Sequence, residues 1–186
     1  MRSNLPAVAQ DIGVPERTLR RAVQRGTVRC YRPGPRQVEL AADERAYLQE
    51  NWELISAVTD ALRTERNVRL AVIFGSVARG TADESSDIDI LVSLTDELPM
   101  SLVRLSVRLE RALGREVDVL SLRSTGKRDP MLLSAVLREG RPVIDRDGLW
   151  PTLLAKRRVV ERAAAKARVA LHRHATDAVA RLTEAR

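Results

Sequence analysis

The sequence predicts an α/β protein (α+β in the spread of its elements). A mixed sheet flanked by helices is expected, with a small helical module in front and a long helix behind. Three observations carry that prediction. Between residues 65 and 150, the short β-branched runs "VRLAVIFG", "DIDILVSL", "EVDVLSL" and "RPVIDR" alternate with segments of helical periodicity, the pattern of strands separated by helices. Residues 5–26 instead place apolar residues at helical spacing, punctuated by Gly13 and Pro15. Of the 186 residues, 44% are apolar and 31% charged, enough of both for a packed core under a hydrated surface.

Composition narrows the class. Aromatics amount to 3%, so the core must rest on Leu, Val, Ile and Ala. A single cysteine, Cys30, rules out an intramolecular disulfide and a Cys-rich zinc site. It is expected as a small buried hydrophobe. No apolar stretch is long enough to cross a bilayer and the N-terminus lacks a signal-peptide core, so a cytoplasmic protein without membrane contact is expected. The net charge of +7 is uneven: residues 1–36 and 151–186 each carry +6, and residues 37–150 carry −5. Basic ends around an acidic middle suggest separate tasks, with nucleic acid a candidate partner of the ends. Solvated Arg-rich helices would produce the same charge pattern.

In chain order, Leu5, Val8, Ala9 and Ile12 predict a first short helix that stops at Gly13. Pro15 opens a second in its first turn, where a missing N–H is harmless. Leu19, Ala22 and Val23 form its apolar stripe, which leaves Arg17, Arg20, Arg21 and Arg25 mostly on other faces. "TVRCYRPGPRQVEL" then reads as two short strands around Pro33-Gly34-Pro35. Over about the first 40 residues this resembles a winged helix-turn-helix. The resemblance implies that the second helix enters the major groove with those four arginines as DNA contacts. Such shapes also serve as protein-docking modules. A long amphipathic helix follows, with Asp43 as the expected N-cap. The C-terminal segment from Pro151 reads as one continuous helix with Leu153, Val160, Ala167 and Leu171 near heptad spacing. The expected division is 1–42, a linking helix 43–64, a catalytic-type domain 65–150, and the C-terminal helix 151–186. A DNA-binding wing and a long exposed helix make a homodimer plausible.

The chemistry concentrates in "GSVARGTADESSDIDILV", Gly75 to Val92. In a strand, alternate side chains share a face, so Asp87 and Asp89 point one way and Ile88 and Ile90 the other. Neighbouring carboxylates repel and raise each other's pKa unless a cation intervenes. A hard divalent ion such as Mg²⁺ resolves the conflict, because it takes oxygen ligands and keeps waters that phosphates can replace. Asp118, in "EVDVL", is a possible third ligand. Gly75 and Ser76 close a strand where backbone N–H groups can cradle an anion.

Residues 75–92 resemble the signature of the minimal nucleotidyltransferases of the DNA polymerase β-like superfamily. Gly75-Ser76, Ala78-Arg79-Gly80, five intervening residues, Ser86-Asp87-Ile88-Asp89 and the apolar Ile90-Leu91-Val92 match without departure. The resemblance spans about residues 65–145 and implies the nucleotidyltransferase fold. It also implies Asp87, Asp89 and Asp118 as catalytic metal ligands for two Mg²⁺ (or Mn²⁺) ions, with Asp118 helping to deprotonate the acceptor. Gly75 and Ser76 would hold the β- and γ-phosphates of an NTP, and Ser86 and Arg79 belong to the same nucleotide-binding set. Ion pairing of Arg79 with Asp83 or Glu84 is the structural alternative. The implied reaction moves a nucleoside monophosphate from an NTP to a hydroxyl and releases pyrophosphate. Small proteins of this family resemble members of toxin–antitoxin or defence systems, which makes a partner toxin or antitoxin protein, or an RNA, the expected acceptor, and operator DNA a further partner. The alternative is a DNA-binding regulator or antitoxin whose nucleotidyltransferase-like domain serves as a sensor or partner platform. Lys127 and Arg128 are expected in a solvated loop, Trp52 and Trp150 as packing anchors, and His172 and His174 as surface residues.

Overall fold

The computed structural model describes residues 2–34, 37–98 and 100–184, with side chains except those of Ala175 and residues 177–184. β1 (Ser3–Asn4) leads into α1 (Leu5–Asp11), and Asn4 caps that helix by accepting from the Ala7 N–H at 3.0 Å. α2 (Glu16–Arg25) follows Pro15 and ends at Gly26, whose N–H returns to the Ala22 and Val23 carbonyls. β2 (Tyr31–Gly34) and β3 (Gln37–Leu40) pair antiparallel, and β1 adds to the other side of β3. The expected first strand therefore starts at Tyr31, not Thr27. Thr27 and Val28 are buried, and the Thr27 hydroxyl donates to the Pro142 carbonyl. Pro35, expected at the hairpin turn, lies outside the described residues. Cys30, expected to be buried, is only half-covered.

α3 (Ala42–Arg63) is the linking helix, and Ala41 occupies its N-cap position rather than Asp43. Asp43 sits in the first turn, where its Oδ1 accepts from the Glu44 N–H at 2.9 Å and its charge favours the helix start. Beyond α3 come β4 (Val68–Phe74), α4 (Gly75–Arg79), β5 (Ile88–Leu94), α5 (Ser101–Leu113), β6 (Val117–Ser121), α6 (Leu122–Arg128), α7 (Pro130–Glu139) and β7 (Arg141–Asp145). Among the described residues these strands form a mixed sheet in the order β6-β5-β4-β7. β5 and β6 run parallel because α5 carries the chain back across the sheet, whereas β4 is antiparallel to both β5 and β7. α6 corrects the loop expected at Lys127 and Arg128. Ser121 caps it by accepting from the Ser124 N–H at 3.2 Å, and the two basic side chains stay exposed.

Side chains of β4 divide between two cores, as a pleated central strand requires. Ala71 and Ile73 join Ile88, Ile90 and Val92 on the face covered by α3 and α5. Leu70, Val72 and Phe74 join Leu91, Leu133, Val136 and Trp150 on the other. The first core does not stop at the sheet. It runs without interruption through Leu48 and Tyr47 of α3 to Leu19 of α2 and Leu5 of α1. The segment from Pro151 is not one helix: α8 (Leu149–Ala155) and α9 (Arg157–Glu184) meet at a turn on Lys156. Leu153 and Val160 pack on the second core, but Leu171 further along the stripe is 59% exposed.

One polar cluster crosses the first core. Arg141 and Glu44 are 2% and 6% exposed and form a two-pronged ion pair, at 2.6 Å to Oε1 and 3.0 Å to Oε2. Arg141 also donates to the carbonyls of Ala78 and Thr27, at 2.9 and 3.1 Å, and its guanidinium lies 3.5 Å above the Tyr47 ring. Removing one partner of a buried pair leaves an uncompensated charge, at a cost of about 3–5 kcal/mol. Glu44→Gln, which keeps shape and loses charge, is therefore expected to lower the unfolding free energy by about that amount, measured as an earlier midpoint in urea at unchanged slope.

Candidate active site

β4 ends at Phe74, which pairs with Asp89 of β5, and Asp89 in turn stands opposite Asp118 of β6. In a parallel pair, residues in register share a face and lie about 4.8 Å apart along the hydrogen-bonding direction. Two carboxylates thus sit side by side on neighbouring strands. Asp87 precedes β5 by one residue and is exposed. Asp89 is half-buried, and Asp118 opens to solvent.

Gly75 starts α4 directly against this pair. Its φ is +69°, a left-handed value that disfavours a side chain. A Cβ at this position would overlap Oδ2 of Asp89 and lie 3.0 Å from its Cγ. Glycine is required here for both reasons. The first N–H groups of a helix have no partner within it, and those of α4 belong to Gly75 and half-buried Ser76. Gly80 closes the helix at φ +75°, where a Cβ would press on the Tyr47 ring at 2.9 Å. The Tyr47 hydroxyl donates to the Val77 carbonyl at 3.1 Å and the Arg141 Nε to that of Ala78. This short helix is held from beneath by the buried cluster.

Burial raises the pKa of Asp89 above the ordinary carboxylate value. Repulsion from Asp118 and then Asp87 adds to this, Arg79 counteracts it, and Glu139 adds a smaller push upward. Arg79 does not pair with Asp83 or Glu84. Its Nη1 donates to Glu139 Oε1, at the end of α7, at 2.8 Å. Ser86, expected among the nucleotide contacts, has its hydroxyl occupied: it accepts from the Asp83 N–H at 3.0 Å and donates to Asp83 Oδ1 at 2.9 Å. Both bonds shape the loop before Asp87. Arg115 clamps that loop from the far side, donating to the Asp83 carbonyl at 2.9 Å and to that of Ser86.

Among the described residues, no three His, Cys, Asp or Glu side chains are gathered closely enough to form a metal centre by themselves. Asp118 and Asp87 lie near enough to Asp89 to add to the upward push on its pKa, and both are exposed. An all-oxygen donor set with open positions suits a hard divalent cation that shares its shell with phosphate and water. The residues fit such an ion.

The four arginines of α2 do not act alike. Arg17 and Arg21 are exposed. Arg20 is exposed but pairs with Glu16. Arg25 turns away from them into a cleft against α3, so the structure separates it from the expected DNA-facing set. His172 and His174 are exposed on α9, and Trp150 is a core anchor. Sequence reasoning missed Arg115, Glu139, Glu44 and Arg141. Each finds its partner 29 to 97 positions away, where no local pattern signals it.

The raised pKa of Asp89 fixes a pH dependence. The folded state holds this proton more tightly than the unfolded chain, so stability falls as pH rises from the ordinary carboxylate range through the folded value. Asp89→Asn, neutral throughout, is expected to unfold at higher denaturant concentration than the native protein at pH 7. The gap should close once acid protonates the native carboxyl in both states. Denaturation curves at pH 7 and pH 3 measure it.

Comparison with known proteins bears directly on this geometry. The family profile described as polymerase beta, nucleotidyltransferase matches residues 56–148, half the chain. A candidate protein adenylyltransferase of Methanocaldococcus jannaschii is 43% identical over 81 residues, 43% of this chain and 84% of that protein. The protein adenylyltransferase MntA of Thermococcus cleftensis is 39% identical over 75 residues, 39% of this chain and 75% of its own. A solved toxin–antitoxin structure with AMP-PNP superposes at a TM-score of 0.55 and 25% identity, covering 66% of this chain and 98% of the other. Half of the chain fits one profile and both relatives align over most of their own length, so this protein belongs to the polymerase beta nucleotidyltransferase family.

Proposed function

We propose that this nucleotidyltransferase moves AMP from ATP to a hydroxyl of a partner protein within a toxin–antitoxin pair. The reading rests first on one observation: Asp89 and Asp118 in register on adjacent strands, with Gly75 stripped of any side chain beside them. The two relatives bear the name protein adenylyltransferase, and the matching solved structure is a toxin–antitoxin assembly with an ATP analogue. Both support the choice of AMP and of a protein acceptor.

In this mechanism the backbone N–H groups of Gly75 and Ser76 receive the β- and γ-phosphates. The acceptor oxygen attacks the α-phosphorus, the bond to pyrophosphate breaks, and Asp118, the most open carboxylate on the sheet, takes the hydroxyl proton. Asp87 and Asp89 would hold Mg²⁺, or Mn²⁺, which would supply neutralisation of phosphate charge and polarisation of the reacting oxygens. Arg79, oriented by Glu139, adds positive charge at the rim of the site. Ser86 and Arg115 set where Asp87 stands, and no phosphate contact is assigned to Ser86. Incubating the protein with labelled ATP, Mg²⁺ and the product of the adjacent gene should transfer label to that protein. Asp87→Ala and Asp89→Ala are each expected to cut transfer by roughly 10²-fold or more. Undiminished transfer in either variant, or label on RNA and none on protein, would overturn the reading.

The exposure of Arg17 and Arg21 on α2 favours a second, compatible role, operator binding by the N-terminal module. Under it, the purified protein shifts a duplex carrying its own promoter. Joint Arg17→Ala and Arg21→Ala substitution is expected to weaken binding and to reduce the slope of log affinity against log salt by about two. Specific promoter binding together with no transfer to any acceptor would favour the regulator reading over the enzyme.

A further inference from the structure

A cleft of about 240 Å³ opens between α2 and the C-terminal half of α3, with none of the sheet carboxylates in its lining, and Thr18, Arg25, Trp52, Ser56, Asp60 and Arg63 line it. Thr18 and Arg25 are seven residues apart on α2 and so share a face, the one turned toward α3. Two guanidinium groups from different helices converge there. Burial, and then repulsion from Arg63, push the pKa of Arg25 below the ordinary arginine value. The Arg25 Nε is buried with no hydrogen-bond acceptor among the described residues. The only carboxylate lining the cleft, Asp60, already lies 3.1 Å from Arg63. One positive charge is left over, and among the described residues the cleft lining supplies no further carboxylate to meet it. A buried guanidinium nitrogen without an acceptor is costly to keep, and Arg25 as a whole is half-buried beside the cleft.

The other walls define what would fit. Trp52 is half-buried and offers a flat apolar surface. Thr18 and Ser56 add hydroxyl groups. The volume is at the small end for ligand sites, suited to one phosphate and one planar ring rather than a polyphosphate chain. We propose that this cleft is a binding site for a mononucleotide-class ligand, its phosphate held between Arg25 and Arg63 and its base laid on Trp52. The site is separate from the carboxylates and does not depend on the transfer reaction assigned to them. A DNA backbone fits it poorly, because the exposed arginines of α2, Arg17 and Arg21, do not line the cleft.

The test uses the full chain in EDTA, so that no cation recruits nucleotide to the carboxylates. AMP, inorganic phosphate and a short DNA duplex are titrated separately while tryptophan emission is followed. Trp150 is buried in the second core, which leaves Trp52 as the reporter. AMP should change the emission saturably, and phosphate should compete with it more weakly. Arg63→Gln, at an exposed position, should raise the AMP Kd about tenfold or more, the scale of a charge-assisted contact to phosphate. Trp52→Phe should abolish the optical signal while calorimetry still detects binding. The proposal fails if neither AMP nor phosphate saturates, or if Arg63→Gln binds AMP unchanged. Displacement of AMP by the duplex would assign the cleft to DNA and overturn it equally.

Discussion

The buried pairing of Arg141 with Glu44 is the constraint around which the molecule is arranged. An arginine at 2% exposure is tolerable only if nearly every N–H and its charge find partners. Arg141 meets that condition by drawing three separate segments onto β7. Glu44 comes from the start of α3, the Ala78 carbonyl from α4, the Thr27 carbonyl from the end of the N-terminal helices, and the Tyr47 ring from one turn further along α3. Glu44 is itself shared, since its Oε1 also accepts from the Arg29 N–H at 2.9 Å. A hydrophobic pair of equal volume would be no less stable on general grounds, but it would leave the carbonyls of Ala78 and Thr27 without donors. The ion pair serves geometry, fixing α4 against α3 and both against β7.

That geometry is what the candidate active site uses. α4 spans only Gly75–Arg79 and makes too few intrahelical bonds to hold itself in place. Its position follows from Tyr47 beneath Val77 and Gly80, and from Arg141 beneath Ala78. Gly75 is thereby pressed against Asp89, and the helix start faces the carboxylates. The opposite side of the site is fixed in the same manner, with Arg115 and Asp83 holding the loop that delivers Asp87. The floor and both walls are tightly bonded. The carboxylates between them are left in mutual repulsion with Asp89 partly desolvated. Such local strain in charge persists when the surroundings over-determine it, and under the proposed function a bound cation would relieve it.

Legibility in the sequence divided along the range of the interactions. The glycine-serine turn, the Asp87-x-Asp89 alternation and the third carboxylate on a later strand are local patterns, and β4, β5, β6 and β7 all appear where their apolar runs stand. Glu44 and Arg141 were invisible for the opposite reason. A glutamate in the first turn of an amphipathic helix reads as a surface residue, and only the fold brings it to an arginine 97 positions away. Glu139, Arg115 and Arg25 were unreadable on the same grounds. Thr27 and Val28 extend a β-branched run, yet tertiary packing against β7 removed them from the strand. The expected Asp43 cap failed by two positions, within the usual uncertainty of helix starts. The C-terminal break at Lys156 has no breaker residue to announce it.

The same interactions bear on how the N-terminal helices relate to the rest. A module that merely tethers DNA to a catalytic domain would need a linker and a core of its own. Here Leu5, Leu19, Leu48 and Ile73 belong to one buried cluster, and the polar tie at Arg141 passes through Thr27 and Arg29. Displacing α2 would therefore break the contacts that hold Arg141, and Arg141 carries the carbonyl of Ala78 in α4. Whatever binds along α2 or α3 acts on elements that share bonds with the floor of the carboxylate site. The contacts of Thr27 with Arg141, Arg141 with Ala78 and Gly75 with Asp89, joined by the backbone of α4 between Ala78 and Gly75, connect the two regions.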